Sequence, residues 1–173
     1  MESNNTTTSS KSESSHVVPS RTKYLVCVND NDHSRIAVRF AYNKAARSGC
    51  IVELLTIVEP ADFKSILSVA DKIDSESREM AQDLLQSFVN EAANWGLNVT
   101  PSLQVREGNV SEEIMNAIEE DCTVGMVILG TSATSPGKGT LLPKLAGELG
   151  SRLLIPMLIV PSNLTDHQIR ELT

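Results

Sequence analysis

Apolar runs of strand length alternate along this chain with stretches in which apolar residues recur at helical spacing. The segment Lys23–Val28 is almost continuously apolar, which is typical of a strand buried on both faces. Apolar residues then recur at intervals of three and four up to Ala45, and a second apolar run covers Cys50–Val58. This alternation predicts a parallel sheet with helices on both faces.

Three further strands are expected after these two. Alternating apolar residues from Val99 to Val105 predict a less buried strand, and Pro101 places it at a sheet edge. Val124–Gly130 and Met157–Val160 form the fourth and fifth apolar runs. Because the first and fourth runs are the most apolar, we predict that those strands lie side by side. The expected fold is a Rossmann-like α/β fold with an open five-stranded parallel sheet of order 3-2-1-4-5.

The chain divides into one domain and two tails. Residues 1–22 are a low-complexity stretch with almost no apolar side chains, and they are predicted to be a disordered N-terminal tail. Residues 23–162 are predicted to form the α/β domain. In it, a short helix is expected between Glu59 and Asp74, and a long one from about Ser75 to Trp95. Residues 163–173 are a C-terminal tail in which a short helix follows Thr165.

Composition excludes some partners and indicates a compartment. A formal charge of -7 argues against binding to nucleic acid or to an anionic membrane surface, since both require clustered Lys and Arg. No run approaches the ~20 apolar residues that span a bilayer. The three cysteines form no metal-ligand pattern, and no apolar signal segment is visible, so a cytoplasmic location is expected.

The predicted topology places a crevice at the carboxyl ends of the first and fourth strands, where ligands bind in open parallel sheets. The loops that meet there start at Asn29 and Gly130. The loop Gly130–Gly139 is built of small residues and precedes a helix, so its N–H groups could bind an anion, with Lys138 or Lys144 adding charge. The alternative interpretation is a solvent-exposed connector with no ligand.

The polar cluster of Asp30, Asp32, His33 and Ser34 has two interpretations. It is a set of titratable side chains such as catalytic sites contain, but Asp and Ser are also the residues that cap helix N-termini. Adjacent residues seldom converge on one point, which favours the cap. The other histidines, His16 and His167, are far away in sequence, so no metal site is predicted.

At these residues the chain resembles the universal stress protein family. The resemblance covers about Lys23 to Ser162 and rests on the Val26–Ser34 opening, on Gly108-Asn109 before the third helix, and on Gly130 followed by the Pro156–Pro161 strand. It implies a small cytoplasmic stress-response protein with a nucleotide-binding-like fold. It also implies a homodimer through the fifth strand, here Met157, Leu158, Ile159 and Val160. The alternative for this apolar edge is that the C-terminal tail folds back over it.

One class of the family binds ATP and another does not, and this chain departs from the binding pattern. In the binding class, the resemblance implies an aspartate after the first strand and a G-x2-G-x9-G-[ST] motif after the fourth. Here Asn29 stands for the aspartate, and the motif positions are Gly130, Ala133, Pro143 and Lys144. Ala133 adds a Cβ and Pro143 lacks an N–H group. We therefore predict weak or lost ATP binding.

The leading hypothesis is thus a dimeric, non-catalytic stress-response protein with no bound cofactor. The alternative is an ATP-binding member, with possible slow ATPase activity, that uses Asn29, Ile57, Gly130, Thr131 and the loop to Lys144. Ile57 enters this list because the resemblance implies that the end of the second strand touches the base. Gly137 and Gly139 keep a variant binding mode open. An enzyme of the wider nucleotide-hydrolase-like group is a third hypothesis, which no paired catalytic residues support.

Overall fold

A computed structural model describes residues 22–59, 67–132 and 147–173, with the backbone alone in 67–74. Its strands are β1 (Lys23–Cys27), β2 (Ile51–Val58), β3 (Ser102–Glu107), β4 (Val124–Thr131) and β5 (Met157–Pro161). They form one parallel sheet of order β3-β2-β1-β4-β5, which confirms the predicted topology. β3 begins directly after Pro101 rather than at Val99, and it lies at the predicted sheet edge.

The helices are α1 (Asp32–Ser48), α2 (Leu67–Ala93), α3 (Val110–Glu120) and α4 (Asp166–Leu172), and residues 147–150 are also helical. The predicted start of the long helix near Ser75 is wrong, because α2 already begins at Leu67. Neither glycine nor proline occurs between these positions, so nothing ends the helix there. The first part of the predicted short helix, with Phe63 and Ile66, lies outside the described residues.

The sheet separates two apolar clusters. On one face, α1, α2 and α4 cover a cluster that includes Val26, Leu54 and Phe88. On the other face, α3 and the 147–150 turn cover a cluster that includes Leu25, Ile114 and Leu149. β1 contributes buried side chains to both clusters, as a central strand should. No helix among the described residues is long and apolar enough to cross a membrane.

Ion pairs join the amino ends of the central strands. The Lys23 ammonium lies 2.5 Å from Asp121 Oδ2, just before β4, and 3.2 Å from Glu53 Oε2 on β2. The hydrogen bond from Lys23, helped by bonds from Thr123, lowers the pKa of Asp121 to about 2. Lys23 therefore fixes β1 to both of its neighbours at the end of the sheet opposite the crevice.

The C-terminal segment folds back onto α1. Thr165 caps α4 in a capping box with Gln168, and Ile169 is fully buried in the same cluster as Val160. Arg39 pairs with Asp166 at 2.5 Å, and Arg47 donates to the Arg170 carbonyl at 2.7 Å. The short helix expected after Thr165 is thus present, and it covers the α1 face of the sheet.

Candidate functional site

The end of β4 meets the start of α1 at the carboxyl end of the sheet. Gly130, the penultimate residue of β4, lies against the first turn of α1, which follows the β1 loop. A Cβ atom placed on Gly130 would be 2.3 Å from the His33 carbonyl oxygen and 2.6 Å from its carbonyl carbon. Such distances are impossible for a real Cβ, so glycine is required here for the two elements to approach. Gly130 at the end of β4 therefore contacts His33 in α1, the helix that follows Asn29.

The polar cluster after β1 is the capped start of α1. Asn31 is the N-cap, and its Oδ1 accepts from the Ser34 N–H group at 2.8 Å. Asp32 lies in the first turn with its side chain 97% exposed, and Ser34 is buried. This arrangement is the one expected for a helix N-terminus, where side chains satisfy free N–H groups. It also means that an N–H group that could meet an anion is already occupied.

Asn29 is the hub of a local hydrogen-bond network. Its Oδ1 accepts from Ser34 Oγ at 2.8 Å and also from the Asn31 amide nitrogen. Its own N–H group donates to Ser34 Oγ at 3.0 Å. An amide oxygen has two lone pairs, so the acceptor atom of Asn29 is fully used within the protein. Only the Nδ2 donor is left to face a ligand.

The other predicted site residues are only partly placed. Ile57 lies near the end of β2, where it pairs with Arg106 of β3 and packs on the α3-side cluster. The Thr131 carbonyl accepts from the Ser162 N–H group at 2.9 Å, which ties the end of β4 to the residue after β5. Gly130 and Ile57 thus lie on the two strands that flank β1, the strand that Asn29 follows. The remaining candidates fall outside the described residues: Ala133, Gly137, Lys138, Gly139, Pro143 and Lys144.

The described residues between β1 and α1 are acidic and offer little reactive chemistry. Asp30 and Asp32 are both exposed, and their charge opposes the approach of a phosphate to the start of α1. The Cys27 thiol at the end of β1 has its pKa raised to about 12 because burial disfavours the thiolate. Among the residues that the structure describes, no three His, Cys, Asp or Glu side chains are grouped to hold a metal ion.

Sequence reasoning missed two features of this site. One is the bonding of Ser34, which the sequence indicates only as a member of the capping cluster: its buried hydroxyl links Asn29 to the start of α1. The spacing of three residues between Asn31 and Ser34 is the N-cap signal that could have identified it. The other is the contact between Gly130 and His33, which joins residues far apart in the chain and which no local pattern indicates.

Comparison with known proteins supports this fold. Residues 21–161 match the sequence profile of the universal stress protein family. A search of curated proteins gives no significant match. Among solved structures, the chain is similar to the universal stress protein UspA from Lactobacillus plantarum, with a TM-score of 0.67 and 14% identity over 82% of this chain and 98% of that one.

Two further solved structures show the same similarity. One is a universal stress protein family member from Burkholderia pseudomallei, with a TM-score of 0.63 and 17% identity over 82% of this chain and 96% of that one. The other is an Arabidopsis thaliana family member with AMP bound, with a TM-score of 0.55 and 17% identity over 82% of this chain and 92% of that one.

Proposed function

The chain belongs to the universal stress protein family, and from that premise we propose that it is a dimeric, non-catalytic stress-response protein whose binding of ATP is weak or lost. The protein would act in the cytoplasm through protein partners. Three free cysteines, Cys27, Cys50 and Cys122, are compatible with such a reducing compartment. The proposal depends most on the hydrogen bonds of Asn29.

Asn29 differs from an aspartate in what it can still offer a ligand. An aspartate in the same position would accept from Ser34 and Asn31 with one oxygen and keep its second oxygen free. In Asn29 the second atom is the Nδ2 donor, and the one acceptor is already used twice. A ribose hydroxyl that donates a hydrogen bond therefore has no acceptor at this residue. This loss is the single observation on which weak nucleotide binding rests.

The glycine at position 130 does not argue for a nucleotide. Its contact with the His33 carbonyl requires glycine whether or not a ligand is bound. The remaining motif positions, Ala133, Pro143 and Lys144, depart from the binding pattern in ways that reduce backbone approach and N–H donation. A packing role for Gly130 explains why this chain has the first residue of the binding motif but not the others.

A second candidate function is adenine-nucleotide binding. It is favoured by the strand order, because β1 and β4 are neighbours and the carboxyl ends of such strands are the usual ligand position in open parallel sheets. The plant family member solved with AMP shows that this fold can hold an adenine nucleotide. For this chain, the site would have to use Nδ2 of Asn29 and the loop that follows Thr131.

Nucleotide binding is tested by the melting temperature of the purified protein. We expect no shift when about 1 mM Mg-ATP is added. A site with a Kd of about 10 μM would instead gain about 2.7 kcal/mol, which corresponds to a rise of roughly 5–10 °C. Acid extraction of the purified protein should likewise release no adenine nucleotide. A clear shift or extracted nucleotide would establish the second function in place of the first.

Restoring the residues of the ATP-binding pattern, with and without a change at Asn29, tests the role of Asn29 directly. The variant Asn29→Asp, Ala133→Gly, Pro143→Gly, Lys144→Ser should gain a thermal shift with Mg-ATP. The same variant with Asn29 retained should gain less, because the free acceptor oxygen is still missing. Equal shifts in the two variants would mean that Asn29 is not the cause of weak binding.

Dimerisation through β5 is supported by its apolar edge. β5 is an edge strand of the sheet, and Ile159 in it is 41% exposed. Ile159→Asp should convert a dimer into an 18.8 kDa monomer in light scattering, because a charge opposes burial of the paired edge. Leu172→Asp, at an exposed site on α4, should stay dimeric. If the Ile159→Asp protein has the same mass in solution as the unmodified protein, the dimer interface lies elsewhere.

A further inference from the structure

The outer edge of β3 has backbone groups that point away from β2. Gly108 N–H donates to the Val58 carbonyl of β2 at 3.0 Å, so Gly108 points its backbone groups inward. Alternate residues of a strand point their N–H and C=O groups to the same side. Gln104 and Arg106 therefore face β2, and Leu103, Val105 and Glu107 face outward. Among the described residues, no strand pairs with this side of β3.

A groove runs along the same edge, between β3 and α2. It has a volume of about 520 Å³, and Leu85, Leu103 and Val105 supply its apolar surface. Leu103 is 43% exposed, whereas Leu85 is fully buried. Leu103 and Val105 thus offer apolar side chains to the groove and open backbone groups to the edge. An extended segment paired with β3 would place every second side chain in this groove.

Among the side chains that the structure describes, the charges around the groove are predominantly negative. Asp83 lines it, and Glu79 and Glu76 follow on the same stripe of α2 at helical spacing, all of them exposed. Arg78, also in the lining, is neutralised by Glu107, with 2.6 Å between Arg78 Nη2 and Glu107 Oε1. In the described part of the chain, none of the three carboxylates on this stripe has an ion-pair partner. The groove therefore has an acidic rim that favours a basic partner.

We propose that the outer edge of β3 binds an extended, basic segment of a partner protein that adds a sixth strand to the sheet. Backbone hydrogen bonds to Leu103 and Val105 would give affinity, apolar side chains in the groove would give register, and Lys or Arg side chains would pair with the acidic rim. β3 and β5 are opposite edges of the sheet, so the partner segment would not compete with a dimer through β5.

The probe is a fluorescein-labelled nonapeptide in which Lys and Val alternate. We expect it to bind in fluorescence anisotropy, with affinity that falls as salt is raised. A Glu-Val peptide of equal length should bind at least tenfold more weakly, a difference of about 1.4 kcal/mol. A Lys-Val peptide with N-methylated alternate residues should also lose binding, since it cannot complete the ladder. Equal binding by either control peptide, or no binding by the Lys-Val peptide, overturns the proposal.

Amide hydrogen exchange locates the contact. In the free protein, the Leu103 and Val105 amides should exchange quickly, while those of Gln104 and Arg106 are protected by β2. The Lys-Val peptide should slow exchange at Leu103 and Val105. Protection of these two amides before any peptide is added would show that another segment, or a second copy, already occupies the edge, and that result also overturns the proposal.

Two charge variants distinguish binding at the groove from a general effect of the net charge of the protein. Asp83→Lys reverses one rim charge at an exposed site and should weaken Lys-Val binding about tenfold. Glu119→Lys changes the net charge equally on α3, across the sheet, and should leave the affinity within about twofold. Equal effects of the two variants would show that the peptide senses only net charge, and they would refute a site at β3.

Discussion

Replacing Gly130 with alanine is expected to lower the free energy of unfolding by about 1–3 kcal/mol, the usual cost of overpacking a close contact. The added Cβ would lie 2.3 Å from the His33 carbonyl oxygen, so α1 or β4 must move. The carbonyl belongs to the first turn of α1, which cannot shift without disturbing the cap at Asn31. Urea unfolding followed by circular dichroism measures the loss.

Gly147→Ala is the matched control for this substitution. Gly147 lies in a helical turn, and a Cβ there would meet no atom of the described residues within 4 Å. Alanine should therefore leave stability unchanged or raise it by up to about 1 kcal/mol, since it favours helix. If Gly130→Ala proved as stable as Gly147→Ala, the close approach of β4 to α1 would be wrong, and so would the packing explanation for the retained glycine.

Replacing Ile169 with alanine should cost about 2–5 kcal/mol, the range for truncating a large buried aliphatic side chain. Ile169 is fully buried and shares a cluster with Val160 and other residues under α1. Truncation of Ile169 would leave a cavity between α4 and the sheet, because Arg39 and Arg47 hold α4 in place near its start and near its end. The midpoint of urea unfolding should fall with little change in its slope.

Leu172→Ala distinguishes loss of packing from a general effect on the tail. Leu172 is 62% exposed in the same helix, so its truncation should change stability by less than about 0.5 kcal/mol. Comparable losses in the two variants would indicate that the tail contributes through helix formation and not through burial of Ile169. An unaffected Ile169→Ala protein would mean that α4 does not dock on α1.

The sheet could be predicted from the sequence because its central strands are marked by continuous apolar runs. The apolar runs of β1 and β4 predict the most buried strands. Neighbouring central positions for these two strands give the strand order that the structure shows. The start of α2 was misplaced for a local reason. Polar residues around Ser75 look like a boundary, yet no helix-breaking residue precedes them back to Leu67.

The candidate site was predictable only in its location. The position of Asn29 and Gly130 at the strand ends follows from topology, and their nearness follows from strand order. The use of Asn29 as an acceptor for Ser34 and Asn31 depends on rotamers and loop geometry that spacing does not specify. Likewise, Leu103 in an alternating strand indicated only a half-buried edge, and the groove beside it arises from the separate placement of α2.

Arg39 links two parts of the molecule that are remote in sequence. Its guanidinium carbon lies 5.4 Å from the centre of the Trp95 ring, and its Nη1 pairs with Asp166 at the start of α4. The Trp95 ring also packs perpendicular to the Tyr42 ring, and Trp95 is the single tryptophan of the chain. Release of α4 would free this guanidinium and alter the surroundings of the indole. The intrinsic fluorescence of the protein is therefore a label-free reporter of whether its carboxyl terminus is attached.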